Sequence, residues 1–231
     1  MAAFLKEIDK FYGTKEKNRQ GEDLETFLEH YDPHKYETPS CTDAVIFSKT
    51  GKLLDVNQLK VLLVRRSNHP NIGFWALPGG FAEMRENLED TARRELEEET
   101  GVKGLPMEQF AVYGDYDRDP RTRVITTAYL SLVEENDVTV QAGDDAADAA
   151  WCSVDLQRKE SHPGVLERNI WELRITNEEK KLDTCAEVEE IRREGLIRER
   201  KYRVLSGGKI AVDHAAILVQ ALCLLRERLA E

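Results

Sequence analysis

The sequence predicts an α+β fold in which helices pack on a mixed β-sheet. Short apolar runs typical of strands recur along the chain, an amphipathic helix lies between two of them, and a second amphipathic helix closes the sequence. Hydrophobic residues make up 41% and aromatic residues 7% of the 231 residues, which is typical of a globular protein.

The first 40 residues are polar, and we expect them to hold one short helix followed by an extended lead-in. The helix is predicted over 22–31, and the two prolines of 31–40 favour an extended chain. Strands are predicted over 41–49 and 59–67, because both stretches are rich in β-branched and aliphatic residues and are separated by a turn.

The centre of the chain is predicted as a loop, a helix and further strands. A loop rich in glycine and proline covers 68–86, and the helix that follows over 87–100 ends at Gly101. Asn87 and Asp90 resemble a capping pair at the start of this helix. The remaining strands are predicted over 107–119, 123–134 and 138–154, the last of them interrupted by an acidic loop.

Residues 155–209 form a highly charged segment that we expect to be inserted before the last helix. Within it we predict a strand over 169–176, a helix over 186–196 and a hairpin over 200–214 with a Ser-Gly-Gly turn. A terminal amphipathic helix is predicted over 214–229. The expected organisation is a helix and lead-in (1–40), a central domain (41–154), the inserted segment of unknown role (155–209) and a C-terminal helix packed on the central domain (210–231).

The bulk charge argues against general affinity for nucleic acid, because the net charge is −11 and a duplex is itself a polyanion. An acidic protein that handles an anionic substrate needs a cation as intermediary. The four cysteines are widely spread without a Cys-x-x-Cys pair, so reduced thiols in the cytoplasm are the default expectation. Lys6 and Glu7 interrupt the region where a signal peptide needs an apolar run, and the apolar stretch 215–225 is too short to span a bilayer.

The end of the predicted central helix concentrates negative charge. Four glutamates lie within five positions there: Glu95, Glu97, Glu98 and Glu99. At roughly 100° per residue, Glu99 falls on the buried stripe marked by Leu88 and Ala92. Like charges four residues apart cost about 0.2–0.5 kcal/mol per pair, and carboxylates near a helix C-terminus oppose the macrodipole by about 0.3–1 kcal/mol each. A hard dication compensates such charge, and an all-oxygen cluster favours Mg²⁺ or Mn²⁺; a solvated acidic face paired with Arg93 and Arg94 is the alternative.

A spaced motif contains this acidic run. Gly80 is followed after five residues by Glu86, and after seven more by the run RELEEETGV over 94–102. The spacing matches all nine specified positions of the Nudix box, G-x5-E-x7-R-E-U-x-E-E-x-G-U with U aliphatic, and a chance match is rarer than roughly one in a million. The chain resembles the Nudix hydrolases. Further stretches, among them HPNIGFWALPGGF and IAVDHAAIL, resemble the branch that holds ADP-ribose pyrophosphatases and Nudix-related transcriptional regulators.

The resemblance implies a Nudix fold, which is a mixed β-sheet sandwiched between α-helices, and an active site in the box. It assigns as metal ligands Glu95, Glu98, Glu99 and the carbonyl of Gly79. Arg94 would orient the carboxylates through charge-assisted hydrogen bonds, with Glu86 in the same network. Gly80 and Gly79 let the backbone approach metal and phosphate closely. The implied cofactor is Mg²⁺, with Mn²⁺ as a substitute.

The activity that the resemblance implies is hydrolysis of the diphosphate bond of a nucleoside diphosphate linked to a second group. ADP-ribose is the expected substrate, with AMP and ribose 5-phosphate as products. Relatives of this branch are commonly dimers, so a homodimer is expected. Pro120 stands near, but not at, the position where some ADP-ribose hydrolases carry a proline; Arg118 occupies that position.

The sequence also offers candidates for the general base and for substrate contacts. We predict Asp145 as the base; it lies on an acidic loop that also contains Asp144 and Asp148. This loop could instead be a turn in which aspartates cap backbone groups. The alternative candidates for the base are Glu95 and Glu98. For phosphate binding we expect Arg118, since a guanidinium fork suits phosphate geometry. Of Arg65 and Arg66 we expect one to face the cleft and the other solvent, and we choose Arg65; Gly80 and Glu86 complete the predicted substrate site.

The alternative function is a nucleotide-sensing regulator with a C-terminal DNA-binding winged helix. Residues 189–212 read as a helix followed by a wing, with clustered arginines. The intact box favours the enzyme, because the relevant regulators often have a degraded one, and the nearly balanced charge of the C-terminal third is not that of a basic domain. We therefore do not expect nucleic acid as a partner.

Overall fold

A computed structural model describes residues 8–32, 39–138, 140 and 146–230. These residues include the α-helices α1 (Leu24–His30), α2 (Leu88–Thr100) and α3 (His214–Ala230). They also include the strands β1 (Ser40–Lys49), β2 (Lys60–Arg66), β3 (Trp75–Ala76), β4 (Glu108–Tyr113), β5 (Ile125–Glu134), β6 (Ala146–His162), β7 (Glu167–Asn177), β8 (Leu182–Arg193) and β9 (Glu199–Ser206).

The described strands form one mixed sheet in the order β4-β5-β1-β2-β6-β7-β8-β9, with β3 paired to β2. β1 runs parallel to β5, and the other pairs are antiparallel. Alternate residues of β1 face opposite layers: Ala44 and Ile46 pack with Leu96 of α2, whereas Val45 and Phe47 share a core with α3. The sheet therefore lies between helices, which confirms the predicted fold class.

Most of the predicted elements of the first 135 residues are confirmed, and the local reasons hold. α1 begins after Asp23, whose carboxylate accepts the Thr26 N–H at 2.9 Å. α2 ends at Gly101 in the left-handed conformation with φ of 72°. Asn87 and Asp90 do contact each other, because Asn87 Nδ2 donates to Asp90 Oδ2 at 3.0 Å. The Asn87 side chain forms no capping bond to the backbone of the helix.

The predicted helix over 186–196 is wrong, because most of that stretch is the end of strand β8. From Leu182 to Val188 the strand alternates buried and exposed residues with period two. It pairs with β7 from Leu182 to Arg192 and with β9 from Glu187 to Arg193. Glu and Arg favour helices in isolation, and the pairing on both sides overrides that preference here. Residues 155–206 continue the sheet, and their buried residues share the core of α3.

The predicted hairpin over 200–214 is also wrong. β9 ends at Ser206 and the chain then turns away from it. Ile210 forms a parallel bridge to Trp75, the Trp75 N–H donates to the Lys209 carbonyl, and the Ala211 N–H donates to the Trp75 carbonyl. This pairing leads the chain along β3 to the start of α3, beside the box.

The N-terminal segment is docked on the loop between β2 and β3. The Asn71 N–H donates to the Phe11 carbonyl at 2.8 Å, and the Thr14 N–H donates to the Ile72 carbonyl at 3.0 Å. Gly13 has a φ of +64°, and a Cβ there would lie 2.4 Å from the Ile72 oxygen, so only glycine permits this approach. Within the described ranges, no helix combines the length and the apolar character needed to cross a bilayer.

A buried carboxylate ties β8 to both of its neighbours, and its removal provides a test of the fold. Glu190 is 1% exposed and accepts from three donors. These are Asn169 Nδ2 at 3.1 Å, Trp171 Nε1 at 2.8 Å and Tyr202 Oη at 2.9 Å. We expect Glu190→Ala to remove the acceptor of the buried Trp171 and Tyr202 donors, whereas Asn169 keeps its bond to Glu167. The free energy of unfolding should fall by about 2–5 kcal/mol.

Chemical denaturation measures this loss, with Glu187→Ala as the matched control because Glu187 is exposed on the same strand. The control should change the free energy of unfolding by less than about 0.5 kcal/mol. Equal stability of the two variants would show that β8 is not held by the Glu190 contacts.

Candidate functional site

A cavity of about 840 Å³ lies against the glycine turn before α2 and the ends of β1 and β2. The α2 wall contributes the three glutamates predicted as metal ligands, Glu95, Glu98 and Glu99, together with the turn glycines, Gly79 and Gly80. The facing walls carry guanidinium groups from Arg65, Arg66, Arg118 and Arg121. One cavity therefore combines a cluster of anions with a cluster of cations.

Arg94 organises the carboxylates, as predicted from its place in the box. Its Nε and Nη2 donate to the two oxygens of Glu86, both at 2.9 Å, and Nη1 donates to Glu95 at 2.7 Å and to Glu98 at 3.1 Å. Nη2 also donates to the Phe81 carbonyl at 3.1 Å. The bidentate bond to Arg94 lowers the pKa of Glu86 to about 2, which fixes its negative charge.

Glu95 packs directly on the turn. A Cβ on Gly80 would lie 2.3 Å from the Glu95 carboxyl carbon, so the absence of a side chain at Gly80 is what lets this carboxylate reach its place. Burial raises the pKa of Glu95, and the Arg94 guanidinium only partly opposes the shift. Glu95 is therefore held between Arg94 and the turn with part of its charge uncompensated.

Glu99 joins the end of α2 to the same turn. Its Oε2 accepts the Gly79 N–H at 3.0 Å, and burial raises its pKa to about 8. A Cβ on Gly79 would lie 2.0 Å from the Thr42 carbonyl oxygen, so glycine is required for the turn to approach β1. Within the described part of the chain, the Gly79 carbonyl accepts no backbone hydrogen bond, whereas the carbonyls on either side of it, at Pro78 and Gly80, bond to β1.

The donor set of this wall fits a hard divalent cation. It consists of carboxylate oxygens and one backbone carbonyl. Two of the carboxylates, Glu95 and Glu99, have raised pKa values because burial outweighs the compensation of their charge. Glu98 is the exposed member, with 60% of its side chain accessible. Among the described residues no three acidic, histidine or cysteine side chains are gathered closely enough to form a ready coordination shell.

Arg118 lines the cavity, as predicted, but its guanidinium is already engaged. Nε and Nη2 donate to the two oxygens of Asp213, both at 2.8 Å, and Nη2 lies 3.6 Å from Asp43 Oδ2. Arg118 is 7% exposed. Its observed contacts thus join the loop before β5 to the start of α3, and Arg121 is likewise held by two bonds to Asp119.

Arg65 and Arg66 both line the cavity, so the expectation that one of them faces solvent is wrong. The pairing of β2 with β6 shifts register between these two residues, and the extra residue lies on β6. We call Arg65 and Arg66, which stand beside this irregularity, the arginine bulge. Each guanidinium donates one hydrogen bond to a described residue, through its Nε. Arg65 donates to the Gly73 carbonyl at 3.3 Å, and Arg66 donates to the Pro70 carbonyl at 2.6 Å. Burial lowers the pKa of Arg66, which marks a cation that the described residues leave poorly compensated.

The predicted general base is not located by the structure. Asp145 and Asp144 lie outside the described residues. Asp148, the third candidate of that loop, forms an ion pair with Lys180 at 2.7 Å and is not among the described residues that line the cavity. Glu95 and Glu98 do line it.

Two groups at the cavity escaped the sequence analysis. The first is an aromatic wall formed by Phe27 and Tyr31 of the N-terminal segment and His69 of the loop after β2. The ring centroid of Phe27 lies 5.7 Å from the ring centroids of both Tyr31 and His69. The second is the buried pair of Asp43 and His214. No local pattern predicts either group, because both arise from contacts between distant parts of the chain.

The buried charge of Glu99 makes the stability of the metal-free protein depend on pH. Its folded pKa is raised, so the fold disfavours the carboxylate, and stability is lost as the pH rises from the unfolded value towards 8. We expect Glu99→Gln, which keeps an oxygen for the Gly79 N–H, to be more stable than wild type by about 1–3 kcal/mol at pH 8.5 and equal to it at pH 4.5.

Denaturation in the presence of a chelator measures this difference. Glu97→Gln is the control, since Glu97 is exposed on the same helix and pairs only at the surface with Lys103. A pH-independent difference for Glu99→Gln would contradict the buried charge.

Comparison with known proteins places this geometry in context. The chain is 40% identical over 112 residues to the ADPR responsive transcriptional repressor NtrR of Acinetobacter baylyi, an overlap of 47% of this chain and 43% of the relative. It is 42% identical over 90 residues to the ADP-ribose pyrophosphatase of Methanocaldococcus jannaschii, an overlap of 39% and 52%. The chain thus spans about half the length of these curated relatives.

A solved structure extends the likeness beyond the box. The MutT/nudix family protein of Enterococcus faecalis aligns with a TM-score of 0.57 and 28% identity, over 90% of this chain and 71% of that one. The alignment therefore includes strands that follow the box as well as the box itself. Residues 40–168, more than half of the chain, match the NUDIX domain, and they include the glycine turn, α2 and the arginine bulge. The chain belongs to the NUDIX domain family.

Proposed function

We propose that the protein is a divalent-metal-dependent hydrolase of nucleoside diphosphate derivatives, with ADP-ribose as substrate and AMP and ribose 5-phosphate as products. The observation that carries the proposal is the opposition, within one cavity, of buried carboxylates on α2 and guanidiniums on β2 whose terminal nitrogens make no bond to a described residue. The first favours a dication and the second favours a polyanion. A metal-bound diphosphate satisfies both.

The relatives support the choice of substrate. One of the two curated relatives is named for ADP-ribose hydrolysis and the other for a response to ADP-ribose. A cavity of about 840 Å³ lies within the range of roughly 300–1,000 Å³ that small-molecule sites occupy. The rings of Phe27, Tyr31 and His69 give one wall an apolar surface suited to a nucleoside.

The negative charge of the diphosphate determines which roles the site residues have in the proposed reaction. A diphosphate repels an attacking water, and a bound Mg²⁺ or Mn²⁺ would polarise the phosphoryl oxygens and lower the pKa of water. Glu95, Glu98, Glu99 and the Gly79 carbonyl would hold the ion. Arg94 fixes two of these carboxylates, so little reorganisation is needed when substrate arrives.

Substrate is held, in this proposal, by the arginine bulge and by the glycine turn. Arg65 and Arg66 present terminal nitrogens that make no bond to a described residue, and a guanidinium fork matches two phosphoryl oxygens. Gly80 leaves the turn open to close approach of phosphate. Arg118 supports this wall by joining β1, the loop before β5 and α3.

The base that activates water is proposed to be Asp145, with Glu95 or Glu98 as the alternative on α2. Asp148 is disfavoured because it pairs with Lys180 and is not among the described residues that line the cavity. We also propose, from the family resemblance, that the protein acts in the cytoplasm as a homodimer. Light scattering on the purified protein measures the oligomeric state.

The direct test is hydrolysis of ADP-ribose, NADH, a dinucleoside polyphosphate and an oxidised dNTP, followed as phosphate released after phosphatase treatment. We expect ADP-ribose hydrolysis that needs Mg²⁺ or Mn²⁺ and falls by about 100-fold in kcat for Glu98→Gln and Glu99→Gln. Glu97→Gln is the control on the same helix and should retain wild-type activity, since its side chain points to solvent. Equal rates in all four proteins, or rates unaffected by chelation, would overturn the proposal.

The arginine bulge predicts a separate effect on substrate binding. Arg66→Ala should raise KM for ADP-ribose about tenfold or more with little change in kcat, because a hydrogen bond from a charged group contributes about 1.5–3 kcal/mol. Arg123→Ala is the matched control, since Arg123 bonds to the Gly114 carbonyl outside the cavity lining. An unchanged KM in Arg66→Ala would remove the bulge from the substrate site.

The second candidate is a nucleotide-responsive regulator, favoured by the likeness to the NtrR repressor. The stretch that could have formed a helix and wing, 189–212, instead contributes to β8 and β9 of the same sheet. This leaves that function without the DNA-binding element on which the sequence hypothesis relied. Retention of the protein on duplex DNA at low salt, lost at high salt, would reinstate it.

A further inference from the structure

The first residue of α3 reaches across the core to the chain just before the glycine turn. His214 Nδ1 accepts the Leu77 N–H at 2.8 Å, a bond between residues 137 apart in sequence. His214 is 6% exposed and Leu77 is 2% exposed. Without this acceptor the Leu77 N–H has no bond among those described, and an unpaired buried N–H is costly.

The surroundings of His214 fix which nitrogen carries the proton. Because Nδ1 accepts, the neutral ring has its proton on Nε2, which lies 3.5 Å from Asp43 Oδ1. Burial lowers the pKa of His214 and so preserves the neutral, accepting form. The neighbouring Asp213 is itself held by two bonds to Arg118. The imidazole is thereby held on both sides, by Asp43 of β1 and by the anchored start of α3.

Two other elements hold the glycine turn from different directions. β1 donates to it twice, from Ala44 to the Pro78 carbonyl at 2.8 Å and from Thr42 to the Gly80 carbonyl at 2.9 Å. α2 holds the turn through Glu99, whose carboxylate accepts the Gly79 N–H. The bond from Leu77 to His214 adds α3, two residues before the carbonyl proposed as a metal ligand.

We propose that His214 is a positioning residue of the metal site: by accepting the Leu77 N–H it sets the place of the glycine turn relative to the carboxylates of α2. The C-terminal helix thereby contributes to the metal site through a hydrogen bond to the backbone before the glycine turn. The inference rests on the proposed function only where catalysis is the readout. Its direct consequences are the protection of one amide and the affinity for a dication.

Two nearly isosteric substitutions test the proposal. His214→Asn places Oδ1 where Nδ1 lies and retains an acceptor for the Leu77 N–H, whereas His214→Leu has similar bulk and no acceptor. Each loses the imidazole and its contact with Asp43, so an effect of ring packing or of Nε2 would appear equally in both. Thermal unfolding of both variants establishes that they fold.

Three quantities are measured on the full chain: hydrogen exchange of the Leu77 amide, Mn²⁺ affinity by electron paramagnetic resonance without substrate, and ADP-ribose hydrolysis. We expect His214→Leu to lose Leu77 protection, to bind Mn²⁺ about 10–100-fold more weakly and to lose kcat in proportion, as outer-shell substitutions do. His214→Asn should restore Mn²⁺ affinity to within about threefold of wild type.

The outcomes separate this inference from the proposed function. Equal Mn²⁺ affinity in His214→Leu and wild type, equal losses in the two variants, or no Mn²⁺ binding by wild type would overturn the positioning role. A wild type that binds Mn²⁺ in a His214-dependent way but hydrolyses no nucleoside diphosphate derivative would overturn the proposed function and leave the positioning role standing.

Discussion

Arg94 donates to Glu86, Glu95 and Glu98, and this set of ion pairs is the interaction on which the site depends. Arg94 pairs with carboxylates of α2 and of the loop before it, whereas Glu99 forms no ion pair with a described residue and bonds to the Gly79 N–H. A single guanidinium cannot neutralise four carboxylates. In the proposed function a dication compensates the remaining charge, so the cluster that destabilises the metal-free fold would prepare it for metal.

The surrounding fold holds this charge in place from three sides. Gly79 and Gly80 let the turn lie between β1 and α2, where any side chain would collide with the Thr42 carbonyl or the Glu95 carboxylate. β2 brings its arginine bulge to the facing wall. α3 reaches the turn through His214, and the long sheet of β6 to β9 shares the core that anchors α3.

The sequence predicts the parts of this site that are local. The box fixes Arg94, Glu95, Glu98 and Glu99 by spacing on one helix, and the glycine turn precedes them by a fixed interval, so their proximity follows from helix geometry alone. The contact between His214 and Leu77 depends on where the chain returns after six more strands, which no periodicity encodes. The predicted helix over 186–196 is wrong because glutamate and arginine favour a helix in isolation. Pairing of β8 on both sides and three donors to the buried Glu190 stabilise a strand there instead.

The central claim is that the acidic end of α2 binds a hard dication, and metal-dependent stability measures it most directly. In wild type, the free energy of unfolding should rise with Mn²⁺ or Mg²⁺ concentration. The increase should be about 2.7 kcal/mol when the ion concentration is 100 times the dissociation constant. A variant with Glu98→Gln and Glu99→Gln together should show little of this rise. Stability independent of both ions in wild type would contradict the account.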